Sequence, residues 1–335
     1  MSLRVGINGF GAIGRRFFRH AMENPDIEVV AVNDLWDPAT LAHLLEYDST
    51  YGPLGRPVAA GEDFFQVDGH RVACLSERDP AKIPWEKAGA RVVIDSTGRF
   101  TDGEMARGHL AGGAERVIIA APGKNVDATI VPGVNEGHYH PDQHQVVSMA
   151  SCTTNCLAPV AMVLDDAFGL VRGLMTTVHA YTSDQQILDL AHKDLRRARA
   201  AAQNIIPTST GAAKAVSLVL PHLEGRLTGM AMRVPVATVS VVDLVAELGR
   251  EADEEEINRA FQERAGGDLS GILGVTEDQL VSSDLSGDPH SAVVDLPLTM
   301  VIDKNMIKVV AWYDNEWAYA GRLCDLAVLM GQRQG

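Results

Sequence analysis

The residues best suited to covalent chemistry lie in the run Ala150-Ser151-Cys152-Thr153-Thr154-Asn155-Cys156. A short β-leaning segment, Gln145 to Met149, precedes it. Leu157 to Phe168 follows, with Val160, Val163, Leu164 and Ala167 at helical spacing. Cys152 is therefore expected where a strand turns into a helix. Free N–H groups at a helix start stabilise a thiolate and lower its pKa. A cysteine in that place is either a nucleophile or an inert buried thiol, and this run alone does not separate the two. A partner comes from the next segment. Leu170 to Thr182 reads as a long strand, and alternation from Thr177 puts His179 and Tyr181 on one side. By itself His179 reads as a structural histidine. Beside a helix-start cysteine, its imidazole would hold the thiolate as an ion pair and then act as base and acid.

Other elements must supply whatever the cysteine reacts with. Leu3 to Asn8 reads as a buried strand, and Gly9-Phe10-Gly11-Ala12-Ile13-Gly14 follows at once, leading into a helix-like stretch from Arg15 to Glu23. Strand, G-x-G-x-x-G and helix together form a dinucleotide cradle. Gly9 permits the turn, Gly11 lets a pyrophosphate approach the backbone, and Gly14 lets helix pack on strand. The helix start holds the phosphates. The next strand, Glu28 to Asp34, ends in an acid 20 residues after Gly14. A carboxylate there bonds the ribose hydroxyls and repels a 2′-phosphate.

The strand–helix rhythm continues through Arg91–Gly98, a helix-like stretch over 102–112, and Arg116–Pro122. Ser96 to Gly98 and Ala120 sit where a nicotinamide would lie. Tyr47 to Cys74 looks like an inserted hairpin region. Arg78, in a charged loop, reads as solvated or as touching the cofactor.

The second half reads differently. Lys193 to Ala200 is the densest positive cluster in an acidic chain, and one of its arginines could serve an anionic substrate. Pro207 to Lys214 carries hydroxyls ahead of a helix-like run over Ala212 to Leu220, another anion-binding helix start. Leu227 to Leu248 reads as β-rich stretches with Arg233 between them, and antiparallel pairing is expected. Asp253 to Ala265 reads as an amphipathic helix. Thr299 to Tyr313 reads as a hairpin turning at Asp303-Lys304-Asn305, and a last helix starts near Glu316.

The totals agree. At 335 residues two domains are expected, residues 1–150 with a C-terminal helix over 316–335, and residues 151–315. The fold class is α/β: a Rossmann dinucleotide-binding domain plus an α+β catalytic domain with a mostly antiparallel sheet. A net charge of −15 argues against nucleic acid or an anionic membrane as partner. There is no signal-peptide pattern and no membrane-length apolar run. Four cysteines show no disulfide framework, which fits a reducing cytoplasm. Cys152 and Cys156 lack a second ligand pair, so no metal site is expected.

Across nearly its whole length the chain resembles the glyceraldehyde-3-phosphate dehydrogenase family. The likeness is carried by Ile7–Gly11, Val32–Leu35, Ala150–Cys156, Asp194–Ala201, Pro207–Ala215 and Trp312–Trp317. The resemblance implies that Cys152 attacks an aldehyde, that His179 acts as base, and that NAD takes a hydride. Inorganic phosphate then releases 1,3-bisphosphoglycerate from a thioester. It implies a pocket of Thr182 and Arg233, with Arg197 close by, for the phosphate of glyceraldehyde 3-phosphate. A second pocket, Ser151, Thr153, Thr210 and Gly211, would take the attacking phosphate. Gly9, Gly11, Ala12, Ile13, Asp34, Arg78, Ala120 and Asn315 would hold NAD, with NADP disfavoured by Asp34. A cytoplasmic homotetramer with no nucleic-acid or membrane partner is implied, its arginine-rich loop at a subunit interface.

Ala12, Ala120 and Ala318 depart from the family's usual residues, which suggests a specialised or inhibitor-tolerant isozyme, and Leu190-Ala191 stands where NAD-preferring relatives often have Leu-Pro, a pair that NADP-using relatives change. Erythrose-4-phosphate dehydrogenase is the nearest rival; His179-Ala180-Tyr181-Thr182 favours the triose enzyme over it. A non-catalytic NAD-binding or redox-sensing protein is a rival of another class, and the presence of both Cys152 and His179 speaks against it.

Overall fold

The structure, a computed structural model, describes residues 2–332. It divides into two units, one of residues 2–130, 136–151 and 320–332, the other of Val131–Asn135 and Cys152–Tyr319.

In the first unit, apolar runs buried on both faces make strands, and amphipathic stretches make the covering helices. β1 (Leu3–Asn8) leads into α1 (Ala12–Glu23), which buries Phe17, Phe18 and Ala21. β2 (Ile27–Asn33) is followed by α2 (Pro38–Glu46), capped by Asp37, whose side chain accepts from Thr40 N. Three short strands come next, β3 (Val58–Ala60), β4 (Phe64–Val67) and β5 (His70–Leu75). β3–β4 and β4–β5 pair antiparallel, the expected hairpin insertion.

α3 (Trp85–Ala88), β6 (Val92–Asp95), α4 (Gly103–Ala106), α5 (Gly108–Ala111), β7 (Arg116–Ile119), β8 (Ala128–Thr129) and β9 (Val146–Ser148) complete this part. The helix-like stretch over 102–112 is thus two short helices broken at Arg107. Among the described residues nine strands form one sheet in the order β3-β4-β5-β2-β1-β6-β7-β9-β8. From β5 through β8 every pair is parallel. Strand order reverses between β1 and β6, and the crevice beyond their C-terminal ends is where such a sheet binds ligands.

The second unit starts with α6 (Cys152–Phe168) and β10 (Leu170–Ala180), then β11 (Ile206–Ser209), α7 (Ala212–Val219), β12 (Leu227–Val234) and β13 (Ser240–Leu248). α8 (Glu254–Ala265) is closed by a capping box between Asp253 and Glu256. β14 (Leu273–Thr276), β15 (Ala292–Asp295), β16 (Met300–Ile302) and β17 (Met306–Tyr313) follow. The sheet runs β11-β12-β10-β13-β17-β15-β14, with β16 on β17.

Most of these pairs are antiparallel, including the hairpin that turns at Asp303 and Lys304 with φ of 49° and 64°. β10–β12 and β14–β15 are parallel, because each pair is joined by a long crossover rather than a tight turn. Arg233 lies inside β12, where it pairs in register with His179, and not between two strands as the sequence suggested. The strand expected to reach Thr182 stops at Ala180 ahead of a turn at Ser183 and Asp184. The last helix, α9 (Trp317–Gln332), covers the expected one; residues 333–335 lie outside the described residues.

Candidate active site

In the first unit, β1 delivers its glycines to the crevice. Gly9 has φ +89°, and a Cβ there would come within 2.9 Å of Thr97 N. A Cβ on Gly14 would meet Gly9 O at 2.3 Å, so the turn and helix touch through hydrogen alone. Nothing lies within 4 Å of the Cβ position at Gly11, and no side chain caps α1 there. That leaves backbone N–H groups facing an open approach, the fit a pyrophosphate requires. Asp34 Oδ2 accepts from Phe10 N at 2.8 Å, and Oδ1 accepts from Leu35 N at 2.7 Å. The acid thus fixes the glycine turn as well as edging the crevice.

The cavity here measures about 420 Å³, and its walls include Gly9, Gly11, Asn33, Asp34, Arg78 and Thr97. Ala12 and Ile13 open α1 and Ala120 follows β7, but none of the three forms part of its wall. A second cavity of about 360 Å³ lies beside Met22 and Asn24, at the C-terminal end of α1. A helix C-terminus carries partial negative charge, which suits a phosphate badly.

A buried network braces the first crevice. Asp95 Oδ2 accepts from Asn8 Nδ2 at 2.8 Å, and His109 Nε2 lies 3.0 Å from it. Trp85 Nε1 donates to His109 Nδ1 at 3.0 Å, so Nδ1 is the acceptor and Nε2 carries the proton toward Asp95.

In the second unit, Cys152 is the first residue of α6 and stays half-buried. Its Sγ lies 3.5 Å from His179 Nε2. His179 is buried on β10, and its Nδ1 sits 2.6 Å from Ala180 O. A carbonyl only accepts, so Nδ1 carries the proton and Nε2 turns a lone pair to the sulfur.

Burial pushes the Cys152 thiol up to about 11; the Arg233 charge and the Cys152 and Thr153 N–H groups pull it down, but by less. Burial, with help from Arg233, pushes the His179 imidazole down to about 3. Desolvation thus disfavours either charge taken alone, and the helix-start effect expected from the sequence works against it on the thiol. Moving the proton from Sγ to Nε2 charges both atoms together, and their attraction then offsets part of that cost. Cys156 is fully buried with its thiol raised further, and its Sγ faces Ala311 O at 3.8 Å.

Tyr313, at the end of β17, ties the elements together. Its hydroxyl lies 2.8 Å from Thr153 Oγ1 and 2.9 Å from Thr177 Oγ1, and its ring meets His179 edge-on at 5.9 Å. Arg233 Nη1 donates to Ala180 O at 3.1 Å and Thr182 Oγ1 at 2.7 Å. Its Nε is buried with no hydrogen-bond partner among the described residues. Arg197 donates through Nε to Thr208 Oγ1 and through Nη2 to Ser209 O, and pairs with Asp184 at 2.5 Å. The expected cluster of Thr182, Arg197 and Arg233 thus assembles. Thr210 and Gly211 precede α7, where Ala212 N donates to Thr210 Oγ1 at 3.2 Å.

Asn315 is held by a relay: Ala180 N donates to Ser240 Oγ, which donates to Asn315 Oδ1 at 3.0 Å. Val239, next to Ser240, is buried with φ of 65°, a conformation that β-branched residues rarely adopt. In the first unit Ala150 has φ of 56°, just before Ser151, which leads into α6.

Residues 3–103 match the family described as glyceraldehyde 3-phosphate dehydrogenase, NAD binding domain, and residues 151–315 match its C-terminal domain. Relatives named glyceraldehyde-3-phosphate dehydrogenase are 59% identical in Streptomyces coelicolor (99% of this chain, 100% of the relative) and 58% identical in Geobacillus stearothermophilus (99% of each). One named glyceraldehyde-3-phosphate dehydrogenase 2, from Bacillus subtilis, is 52% identical over 97% of this chain and 96% of its own. The chain belongs to the glyceraldehyde-3-phosphate dehydrogenase family.

Membership makes it an NAD-dependent oxidoreductase, with a Rossmann NAD-binding domain and a catalytic domain. The dinucleotide cradle read from the glycines is the family's NAD-binding domain. Two residues of the site were not singled out from the sequence. Tyr313 figures only as the end of a hairpin and in a matching run, and its bridging role needs β17 brought to β10 across β13. Asp184 carried no signal beyond a polar turn. Among the described residues no group of three or more His, Cys, Asp or Glu could hold a metal ion. No helix there is long and apolar enough to cross a membrane.

Proposed function

We propose that the protein oxidises D-glyceraldehyde 3-phosphate to 1,3-bisphosphoglycerate with NAD and inorganic phosphate, as a glycolytic enzyme of the cytoplasm. The observation that carries this is the 3.5 Å approach of Cys152 Sγ to an unprotonated His179 Nε2, beside Arg233 and Thr182. His179 takes the thiol proton as sulfur attacks the aldehyde carbon, forming a thiohemiacetal. The Cys152 N–H at the helix start donates to the developing oxyanion. His179 returns that proton to the oxyanion to complete the thiohemiacetal and then takes it back from the hydroxyl as a hydride leaves for the nicotinamide that a bound NAD would supply, leaving a thioester on Cys152. Inorganic phosphate, held by Ser151, Thr153, Thr210 and Gly211, attacks that thioester and frees the thiolate.

Thr182, Arg197 and Arg233 hold the substrate's own phosphate. Asn315 orients the nicotinamide amide, Gly9, Gly11, Ala12 and Ile13 the pyrophosphate, Asp34 the adenosine ribose, Arg78 the adenine side, and Ala120 the nicotinamide side. Residues 1–150 with the C-terminal helix form the cofactor domain, and 151–315 the catalytic domain. A homotetramer is supported by Ile187, Leu188, Leu190 and Leu195, which are 65–83% exposed on the isolated chain. Steady-state assays with glyceraldehyde 3-phosphate and erythrose 4-phosphate, with and without phosphate, test the reading. Phosphate-dependent turnover of the triose phosphate is expected; phosphate-independent turnover, or preference for the tetrose, would overturn it.

A further inference from the structure

The proposed substrate pocket already holds a carboxylate. Asp184 Oδ1 accepts from the Thr182 hydroxyl, and Oδ2 pairs with Arg197 Nη1 at 2.5 Å. Thr182 Oγ1 in turn accepts from Arg233 Nη1 at 2.7 Å. These are the donors an ester phosphate would use. Arg197 has little else to offer a ligand, since its Nε and Nη2 are spent on Thr208 and Ser209 of β11. The two partners differ in freedom. The Asp184 side chain is 42% exposed on a turn, whereas that of Arg197 is only 20% exposed and pinned to a strand. Burial raises the Asp184 carboxyl, yet Thr182, Arg233 and Arg197 together hold it below the usual range. It is therefore an anion at neutral pH, drawn to the same cations as the ligand.

We propose that Asp184 sets the affinity of this pocket, as an internal anion that a substrate phosphate must displace from Thr182 and Arg197. The inference rests on the triose-phosphate reading only for the identity of the substrate. A phosphate dianion cannot share those donors with a carboxylate, because like charges at hydrogen-bond distance repel. It displaces Asp184 into water, where the exposed turn lets it go. A monoanion on the same donors must displace it too. The cost is apparent affinity, reduced by the fraction of time the pocket is closed.

The test uses the full-length enzyme with NAD bound, and the variants Asp184→Asn and Asp184→Ala. Glycerol 3-phosphate and glycerate, a dianion and a monoanion on similar skeletons, are titrated calorimetrically. Removing the charge is expected to tighten glycerol 3-phosphate about 5- to 20-fold, the size of one partly exposed ion pair. Glycerate should gain by about the same factor, because the closed fraction lowers the affinity of every anion that needs these donors. The KM for glyceraldehyde 3-phosphate should fall with the dissociation constant of its analogue. Weaker or unchanged glycerol 3-phosphate binding in both variants would overturn the proposal and make Asp184 a supporting ligand or a bystander. A wild-type enzyme unable to turn over the triose phosphate would sink the functional reading instead, while the titrations still report on Asp184.

Discussion

Cys152 Sγ stands 3.5 Å from the one nitrogen of His179 that carries no proton. The Ala180 carbonyl fixes that choice, so the imidazole is ready to accept before any substrate arrives. Replacing His179 by Asn should lower kcat about 10²- to 10⁴-fold, the usual worth of a positioned base. Replacing Cys152 by Ser should cost several powers of ten more. Single-turnover NADH formation separates the two, and a His179→Asn variant with near-normal kcat would contradict the assignment.

The buried imidazole also sets a pH dependence of folding. His179 titrates at about 3 in the folded chain and near 6.5 when unfolded. Between those values the unfolded state binds the proton first. Stability from this group is complete above about pH 6.5 and is lost as pH falls, by about 1.4 kcal/mol per unit. Denaturant unfolding at pH 6.5 and 4.5 should show wild type losing about 2 kcal/mol more than His179→Asn. Parallel losses would count against a neutral buried histidine.

The Tyr313 hydroxyl joins α6 to β10 through Thr153 and Thr177. Tyr313→Phe removes both hydrogen bonds and leaves two buried threonine hydroxyls short of a partner. A loss of about 2 kcal/mol is expected from the unfolding midpoint. Because Thr153 follows the nucleophile directly, kcat should drop as well, while KM for NAD stays put.

Arg233 is the half-buried cation of the proposed substrate-phosphate pocket. Arg233→Gln keeps a donor but deletes the charge. KM for glyceraldehyde 3-phosphate should rise about 10- to 100-fold, the worth of a charge-assisted hydrogen bond. Turnover of unphosphorylated glyceraldehyde should change far less. An equal loss on both substrates would mean that Arg233 serves the chemistry and not the phosphate.

At the cofactor turn, Asp34 accepts from both Phe10 N and Leu35 N. Asp34→Ala should weaken NAD about 10-fold or more, since it loses ribose contacts and loosens the turn together. The ratio of NADP to NAD turnover should rise once the carboxylate no longer repels a 2′-phosphate. An unchanged ratio would show that another group excludes NADP.

What the sequence made legible was local. Gly9, Gly11 and Gly14 announce their work because a turn, an open approach and a close contact each demand absence of a side chain within six residues. Cys152 at a helix start is legible for the same reason. His179 becomes meaningful only through pairing, and Tyr313 lies 160 residues from its Thr153 partner. Nothing in the spacing of Trp312-Tyr313-Asp314 says that β17 runs two places from β10. Helix-start stabilisation of a Cys152 thiolate is visible in a sequence, whereas the burial that opposes it is set by the whole unit. Arg233 was placed in a connection because a charge interrupts an apolar pattern, yet its strand carries it to the register of His179.

Val239 has a practical consequence for anyone seeking a tougher enzyme. A β-branched residue at φ 65° costs on the order of 1–3 kcal/mol. Glycine or asparagine there would remove that strain, and a heat-resistance screen would reward the change. Yet the strained backbone leads directly into Ser240, whose hydroxyl links Ala180 N to the Asn315 side chain. Selection on melting temperature alone would therefore enrich slower catalysts at this position, and directed evolution of this chain has to score turnover in the same round.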